Sequence, residues 1–122
     1  MTYKVMVVDD SPLIRNLVKK ALKKTEEFEF VGEAKNGEEA VNVFKEVNPD
    51  IITMDVTMPI KDGLEASKEI LAINNEVKIL LLSAMGDDDL IEEAKNIGIS
   101  HNMQKPFKAN ILLEKLKSMV GE

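Results

Sequence analysis

The stretch Ile51-Ile52-Thr53-Met54-Asp55-Val56-Thr57-Met58-Pro59 decides the fold. Four mostly apolar, largely β-branched residues run without alternation into an acid, and the run is bounded by Asn48-Pro49 before it and by Pro59 after it. An amphipathic helix would space its apolar residues three and four apart, and a half-exposed strand would alternate them. A short continuous run reads as a strand buried on both faces, as in a parallel sheet. An acid at the end of such a strand has left the core and stands at its rim.

Outward from this stretch the same pattern recurs. Tyr3–Val8, Phe28–Val31, Val77–Leu82 and a weaker Ile99–Met103 are further strand candidates. Helical stripes separate them. After Ser11-Pro12, apolar residues fall at Ile14, Leu17, Val18, Ala21 and Leu22, one face of a helix. Ser11 suits the N-cap and Pro12 the first helical position. Asn36 opens a second helix through Ala40, Val41, Phe44 and Val47, which stops at Asn48-Pro49. Asp62-Gly63 opens a third with Leu64, Ile70 and Leu71, and Asp87-Asp88-Asp89 a fourth with Leu90, Ile91, Ala94 and Ile97. Gly98 is placed to end that fourth helix as a left-handed cap. A fifth begins near Lys108 and carries Leu112, Leu116 and Met119. The pattern predicts an α/β fold, (βα)5, with right-handed crossovers and a doubly wound parallel five-stranded sheet.

Composition sets the outer bounds. The 122 residues suit one domain, 1–122, able to bury a core without disulfides or metal. The absence of cysteine removes thiol nucleophiles and Cys–zinc sites. With 22 acidic against 16 basic residues the net charge is −6, which argues against direct nucleic-acid binding. No apolar run nears the roughly 20 residues of a membrane span, and the acids of the N-terminus do not suit a signal peptide. The expectation is a cytoplasmic protein with no membrane contact.

In such sheets the site lies beyond the carboxyl ends of the strands. Those ends carry Asp9-Asp10, Asp55, Ser83-Ala84 and Lys105-Pro106-Phe107. Three converging carboxylates repel one another unless a proton or a cation relieves them. Mg2+ suits carboxylate, water and phosphoryl oxygens. A carboxylate also serves as a nucleophile in aspartyl-phosphate chemistry. An ammonium and a hydroxyl opposite the metal would then meet the phosphoryl oxygens.

These residues, in this order and each at a strand end, resemble response-regulator receiver domains of the CheY-like single-domain type. Met58-Pro59 and Gly63 after Asp55 add to the likeness, which runs over nearly the whole chain. The stretches around Asp55 and Ser83-Ala84-Met85-Gly86 look most like the stand-alone chemotaxis regulators of Gram-positive and thermophilic bacteria. The resemblance implies the flavodoxin-like strand order 2-1-3-4-5. It implies that Asp55 accepts a phosphoryl group from a sensor histidine kinase or phosphotransfer protein. Asp9, Asp10, Asp55 and the Thr57 carbonyl would bind Mg2+, with Asp10 the more direct ligand and Asp9 acting largely through water. Ser83, the Ala84 N–H and Lys105 would bind the phosphoryl oxygens, with Lys105-Pro106 a cis peptide. The chain would be a monomeric signalling switch that catalyses only its own phosphorylation and dephosphorylation, then changes its grip on a downstream protein target.

Two alternatives belong beside this reading. One is a receiver that forms part of a longer regulator, such as a transcription factor. The other is a Mg2+-dependent phosphatase with an aspartate nucleophile, but those enzymes place a second Asp two residues after the first, where this chain has Thr57. The chain departs from the family at one switch position. Three residues before Lys105, where receivers carry Tyr or Phe, it has Asn102. Ser83 keeps the hydroxyl half of the switch. An amide gains less than a ring from inward burial, so the loop Met85–Asp89 is the expected carrier of the signal. The lone His101 is expected to be a partly exposed strand residue beside the site. The cations Arg15, Lys19, Lys20, Lys23 and Lys24 are expected to form a solvated helix face.

Overall fold

The computed structural model describes residues 2–121. Among them, ten elements alternate along the chain: β1 Tyr3–Val8, α1 Pro12–Lys23, β2 Phe28–Ala34, α2 Gly37–Val47, β3 Ile51–Asp55, α3 Gly63–Ile73, β4 Lys78–Ser83, α4 Asp88–Asn96, β5 His101–Gln104 and α5 Ala109–Met119. The strands form one sheet in the order β2-β1-β3-β4-β5, and every neighbouring pair is parallel.

Local chemistry starts the first three helices as expected. Ser11, Asn36 and Asp62 each accept an N–H from the first turn of their own helix. Asn48 ends α2 in the left-handed conformation, and Gly98, two residues past α4, has φ +96°. Packing does the rest. Val5, Val7, Ile51, Leu80 and Leu82 face α1 and α5, where Val18, Leu22, Leu112 and Leu116 cover them. Met6, Val8, Ile52, Met54 and Leu81 face the other way, against Phe44, Ile70 and Ala94 of α2, α3 and α4. The central strands are buried on both faces, which is why their sequences do not alternate.

Two strands depart from the sequence reading. β2 continues beyond Val31 to Ala34. Its register with β1 shifts between Phe30 and Gly32, and the pairing resumes through Glu33 and Ala34. An edge strand with exposed positions and a bulge does not read as an apolar run. β5 begins at His101 rather than Ile99: the N–H of the buried Ile99 donates to the Ala94 carbonyl of α4 at 2.9 Å, and pairing with β4 starts only at His101, opposite Leu80.

Among the described residues, three buried side-chain oxygens have no hydrogen-bond partner: Asp9 Oδ2 and the hydroxyls of Thr53 and Ser67. Thr53 lies on the α1/α5 side of β3, level with Val7 and Leu80, and its hydroxyl is buried with no hydrogen bond. Burying an unpaired hydroxyl is unfavourable. Thr53→Val keeps the branched shape and removes it, so it should stabilise the fold by about 1 kcal/mol. Urea unfolding at neutral pH checks this, and a loss of stability would contradict it.

Candidate functional site

The reversal of strand order falls between β1 and β3, and the acids follow from it. Val8 and Met54 are paired, so Asp9 and Asp55, the next residue on each strand, emerge side by side. Asp9 is fully buried, Asp55 is 6% exposed and Asp10 is exposed. One carboxylate oxygen from each of the three lies within 4.8 Å of the other two. On the far side of Asp55, β4 ends in the buried Ser83, whose carbonyl accepts the Lys105 N–H at 2.8 Å. That bond seats the start of the cis Lys105-Pro106 peptide beside the acids.

Lys105 is the counter-charge. Its Nζ lies 3.0 Å from Asp55 Oδ1, as a hydrogen bond, and 2.7 Å from Asp9 Oδ2, as an ion pair. Burial lowers the Lys105 pKa, but the Asp9 and Asp55 carboxylates outweigh it, and the net shift is upward. Asp55 is also shifted upward, from 3.8 to about 6. Its largest cause is burial; the Lys105 hydrogen bond opposes this, and the neighbouring charge of Asp9 adds to the rise. The two directions agree physically, since one ammonium is shared between carboxylates that repel each other.

The donor set fits a divalent cation. Three carboxylates against one ammonium leave two negative charges uncompensated if all are ionised. Asp9 Oδ2 is buried and has no aligned hydrogen-bond donor. Hard oxygen ligands with unsatisfied capacity are what Mg2+ takes. Asp9 Oδ1 is already engaged, accepting the Ser11 N–H at 2.9 Å, which ties the acid to the start of α1.

Of the other expected residues, some follow these strand ends and one does not. Thr57 is exposed, two residues after Asp55 in the β3–α3 loop. Ala84 is exposed next to Ser83, and its N–H donates to Asp87 Oδ2 at 2.8 Å. Asn102 is half-buried and paired with Leu81, on the α4 side of the sheet. His101 is half-buried as expected but stands at the amino end of β5, level with Leu80, whereas the site lies at the opposite edge. The expectation that it borders the site is corrected. Burial, with the charges of Lys115 and Lys78, lowers its pKa.

The α1 cations also divide. Arg15 Nε and Lys19 Nζ hold Glu33 of β2 at 2.9 and 2.8 Å. Arg15 Nη1 further donates to the Asp9 carbonyl at 2.7 Å. Arg15 therefore buttresses the acid pair, a role that sequence reasoning missed. Its only local signal was a cation one turn after the N-cap.

Gly63, expected at the start of the third helix and part of the family likeness, also supports the site. A Cβ there would lie 2.0 Å from the Asp55 carbonyl oxygen, while its N–H donates to the Val56 carbonyl at 2.7 Å. The start of α3 thus packs directly on the backbone of Asp55. Gly63→Ala should push that backbone aside and destabilise by about 2 kcal/mol, in the range of overpacking. Chemical denaturation checks it; unchanged stability would contradict the contact.

A sequence profile of the response regulator receiver domain matches residues 5–117. The chemotaxis protein CheY of Listeria monocytogenes is 42% identical over 114 residues, covering 93% of this chain and 95% of that protein. CheY of Thermotoga maritima is 40% identical over 98% of each chain. Among solved structures, the response regulator domain of Thermotoga maritima CheB superposes with a TM-score of 0.90 at 31% identity, covering 100% of this chain and 98% of that one. Borrelia burgdorferi CheY, in a complex with CheX, BeF3 and Mg, superposes with a TM-score of 0.89 at 28% identity over 98% and 90% of the two chains.

Proposed function

We propose, since the chain belongs to the response regulator receiver family, that it is a phosphorylation-driven signalling switch with Asp55 as the acceptor. One observation carries this: Asp55 is buried beside Asp9 and Asp10, with the Lys105 ammonium 3.0 Å from its Oδ1. With a pKa of about 6, its carboxylate is largely ionised at neutral pH and is a competent nucleophile.

In the proposed reaction an Asp55 oxygen attacks the phosphorus of a phosphohistidine on a sensor kinase or phosphotransfer protein. The P–O bond forms as the P–N bond breaks, and the imidazole nitrogen leaves with its electron pair. Lys105, Ser83 and the Ala84 N–H receive the phosphoryl oxygens. Asp9, Asp10, Asp55 and the Thr57 carbonyl would hold Mg2+, which would supply charge neutralisation at the phosphoryl oxygens. Water attack on the aspartyl phosphate resets the switch. The domain, 1–122, changes only its own phosphorylation state and turns over no separate substrate.

The likeness to the CheY proteins supports a role in chemotaxis, acting as a cytoplasmic monomer on a protein target rather than on DNA. The net charge of −6 supports the last point, and among the described residues no helix is long and apolar enough to cross a membrane. Incubation with acetyl phosphate and Mg2+, followed by intact-mass measurement and peptide mapping, tests the acceptor. One phosphoryl group on Asp55 is expected, and labelling elsewhere would overturn the assignment.

A further inference from the structure

The β4–α4 turn, Ala84-Met85-Gly86-Asp87, closes on itself twice. Asp87 N–H donates to the Ala84 carbonyl at 3.3 Å, and Ala84 N–H donates to Asp87 Oδ2 at 2.8 Å. Gly86 permits this geometry. Its φ of +96° at the third turn position is open to glycine and strained for other residues, although a side chain there would meet nothing.

Asp87 is also the N-cap residue of α4. Aspartate in that position ordinarily accepts from a first-turn N–H of its own helix. Ser11, Asn36 and Asp62 all do so, yet the Asp87 side chain caps nothing. The fold has turned its carboxylate back towards the end of β4.

The donor it takes there, Ala84 N–H, is the one assigned above to a phosphoryl oxygen. One N–H does not fully serve two anionic acceptors. We propose that Asp87 is an internal competitor for the phosphoryl group: its carboxylate occupies Ala84 N–H in the resting protein and is displaced on phosphorylation. The inference rests on Asp55 being the acceptor.

Two effects favour the exchange. The phosphoryl group keeps Ala84 N–H satisfied, and its charge of nearly −2 repels the carboxylate. Once released, Asp87 is free to cap α4, so the loop is remodelled at the helix start. Met85, 88% exposed at the crown of this turn, moves with it. A signal carried by this turn needs no aromatic ring at Asn102. The resting carboxylate in turn slows phosphorylation, because it must leave before the phosphoryl oxygen is fully bound.

The test compares wild type, Asp87→Ala and Asp88→Ala. The last removes the next acid along, the first residue of α4, and leaves the Asp87–Ala84 hydrogen bond in place. In unphosphorylated, Mg2+-free protein, amide hydrogen exchange at Ala84 should be about tenfold faster in Asp87→Ala than in the other two, as expected for loss of a charge-assisted hydrogen bond. Labelling by acetyl phosphate with Mg2+ should be about tenfold faster in Asp87→Ala and within about twofold of wild type in Asp88→Ala. Equal exchange at Ala84 in all three proteins would overturn the contact. Labelling of labelled-competent wild type and Asp87→Ala at one rate would overturn the competition, as would equal acceleration by both substitutions, which is a charge effect alone. A wild type that takes no label at Asp55 would overturn the acceptor reading and the competition with it, while the exchange result still stands for the contact.

Discussion

Lys105→Met is expected to destabilise the Mg2+-free protein by about 3 kcal/mol or more, the range found when one partner of a buried ion pair is removed. Methionine keeps much of the stem's packing, so the loss reports mainly on charge. Asp9 is fully buried and, among the described residues, its Oδ2 has no aligned hydrogen-bond donor and pairs with the Lys105 ammonium 2.7 Å away. Asp55 loses its hydrogen bond at the same time. The raised pKa of Lys105 means that it favours folding throughout the physiological range, with its contribution lost only as the pH climbs through that raised value. Without it, Asp55 takes up a proton more readily, so the destabilisation should shrink towards pH 4. Mg2+ should restore stability more in the variant than in wild type, because it would replace a missing cation. Denaturant unfolding at pH 5 and 8, with and without Mg2+, measures all of this. A loss independent of both pH and Mg2+ would mean that packing, not charge, is the contribution of Lys105.

Asp55→Asn should have the opposite effect on stability and should abolish phosphorylation. The Asp55 carboxyl binds its proton more tightly in the folded protein, with a pKa of about 6 against its ordinary 3.8. Folding is therefore favoured by this group below about pH 3.8, and that advantage is lost as the pH rises through about 6. A shift of this size corresponds to about 3 kcal/mol at 1.36 kcal/mol per pH unit. An amide mimics the neutral carboxyl, so Asp55→Asn should gain about 2 kcal/mol at pH 8 without Mg2+, somewhat less than the full linkage value because the amide brings its own donors into the site. The gain should fade towards pH 4. Mg2+ should narrow it, since the metal binds the acid better than the amide. Unfolding across pH, beside intact-mass labelling, gives both answers. A pH-independent gain would remove Asp55 as the titrating group, and undiminished labelling would remove it as the acceptor.

Much of this was legible in the chain because its causes are local. Continuous apolar runs such as Ile51–Met54 mark strands buried on both faces, and the stripe Ile14, Leu17, Val18, Ala21 and Leu22 marks a helix. The caps Ser11, Asn36 and Asp62 act on amides three residues away. Strand ends then bring Asp9, Asp10, Asp55, Ser83 and Lys105 to one edge by topology alone. What sequence could not supply depends on register and packing between distant segments. The bulge that lets β2 run to Ala34 exists only against β1. The placement of His101 at the far edge follows from where β5 begins to pair with Leu80. The ammonium of Lys105 spans Asp9 and Asp55, 96 and 50 positions away, because β4 seats Lys105 through the Ser83 carbonyl. Asp87 has a good local reason to cap α4 and instead faces Ala84, since the turn at Gly86 sets the direction of its side chain. Periodicity and capping act over a few residues and survive in the linear order; ion pairs and diverted hydrogen bonds are chosen among several chemically adequate partners, and only the packed backbone selects which one is within 3 Å.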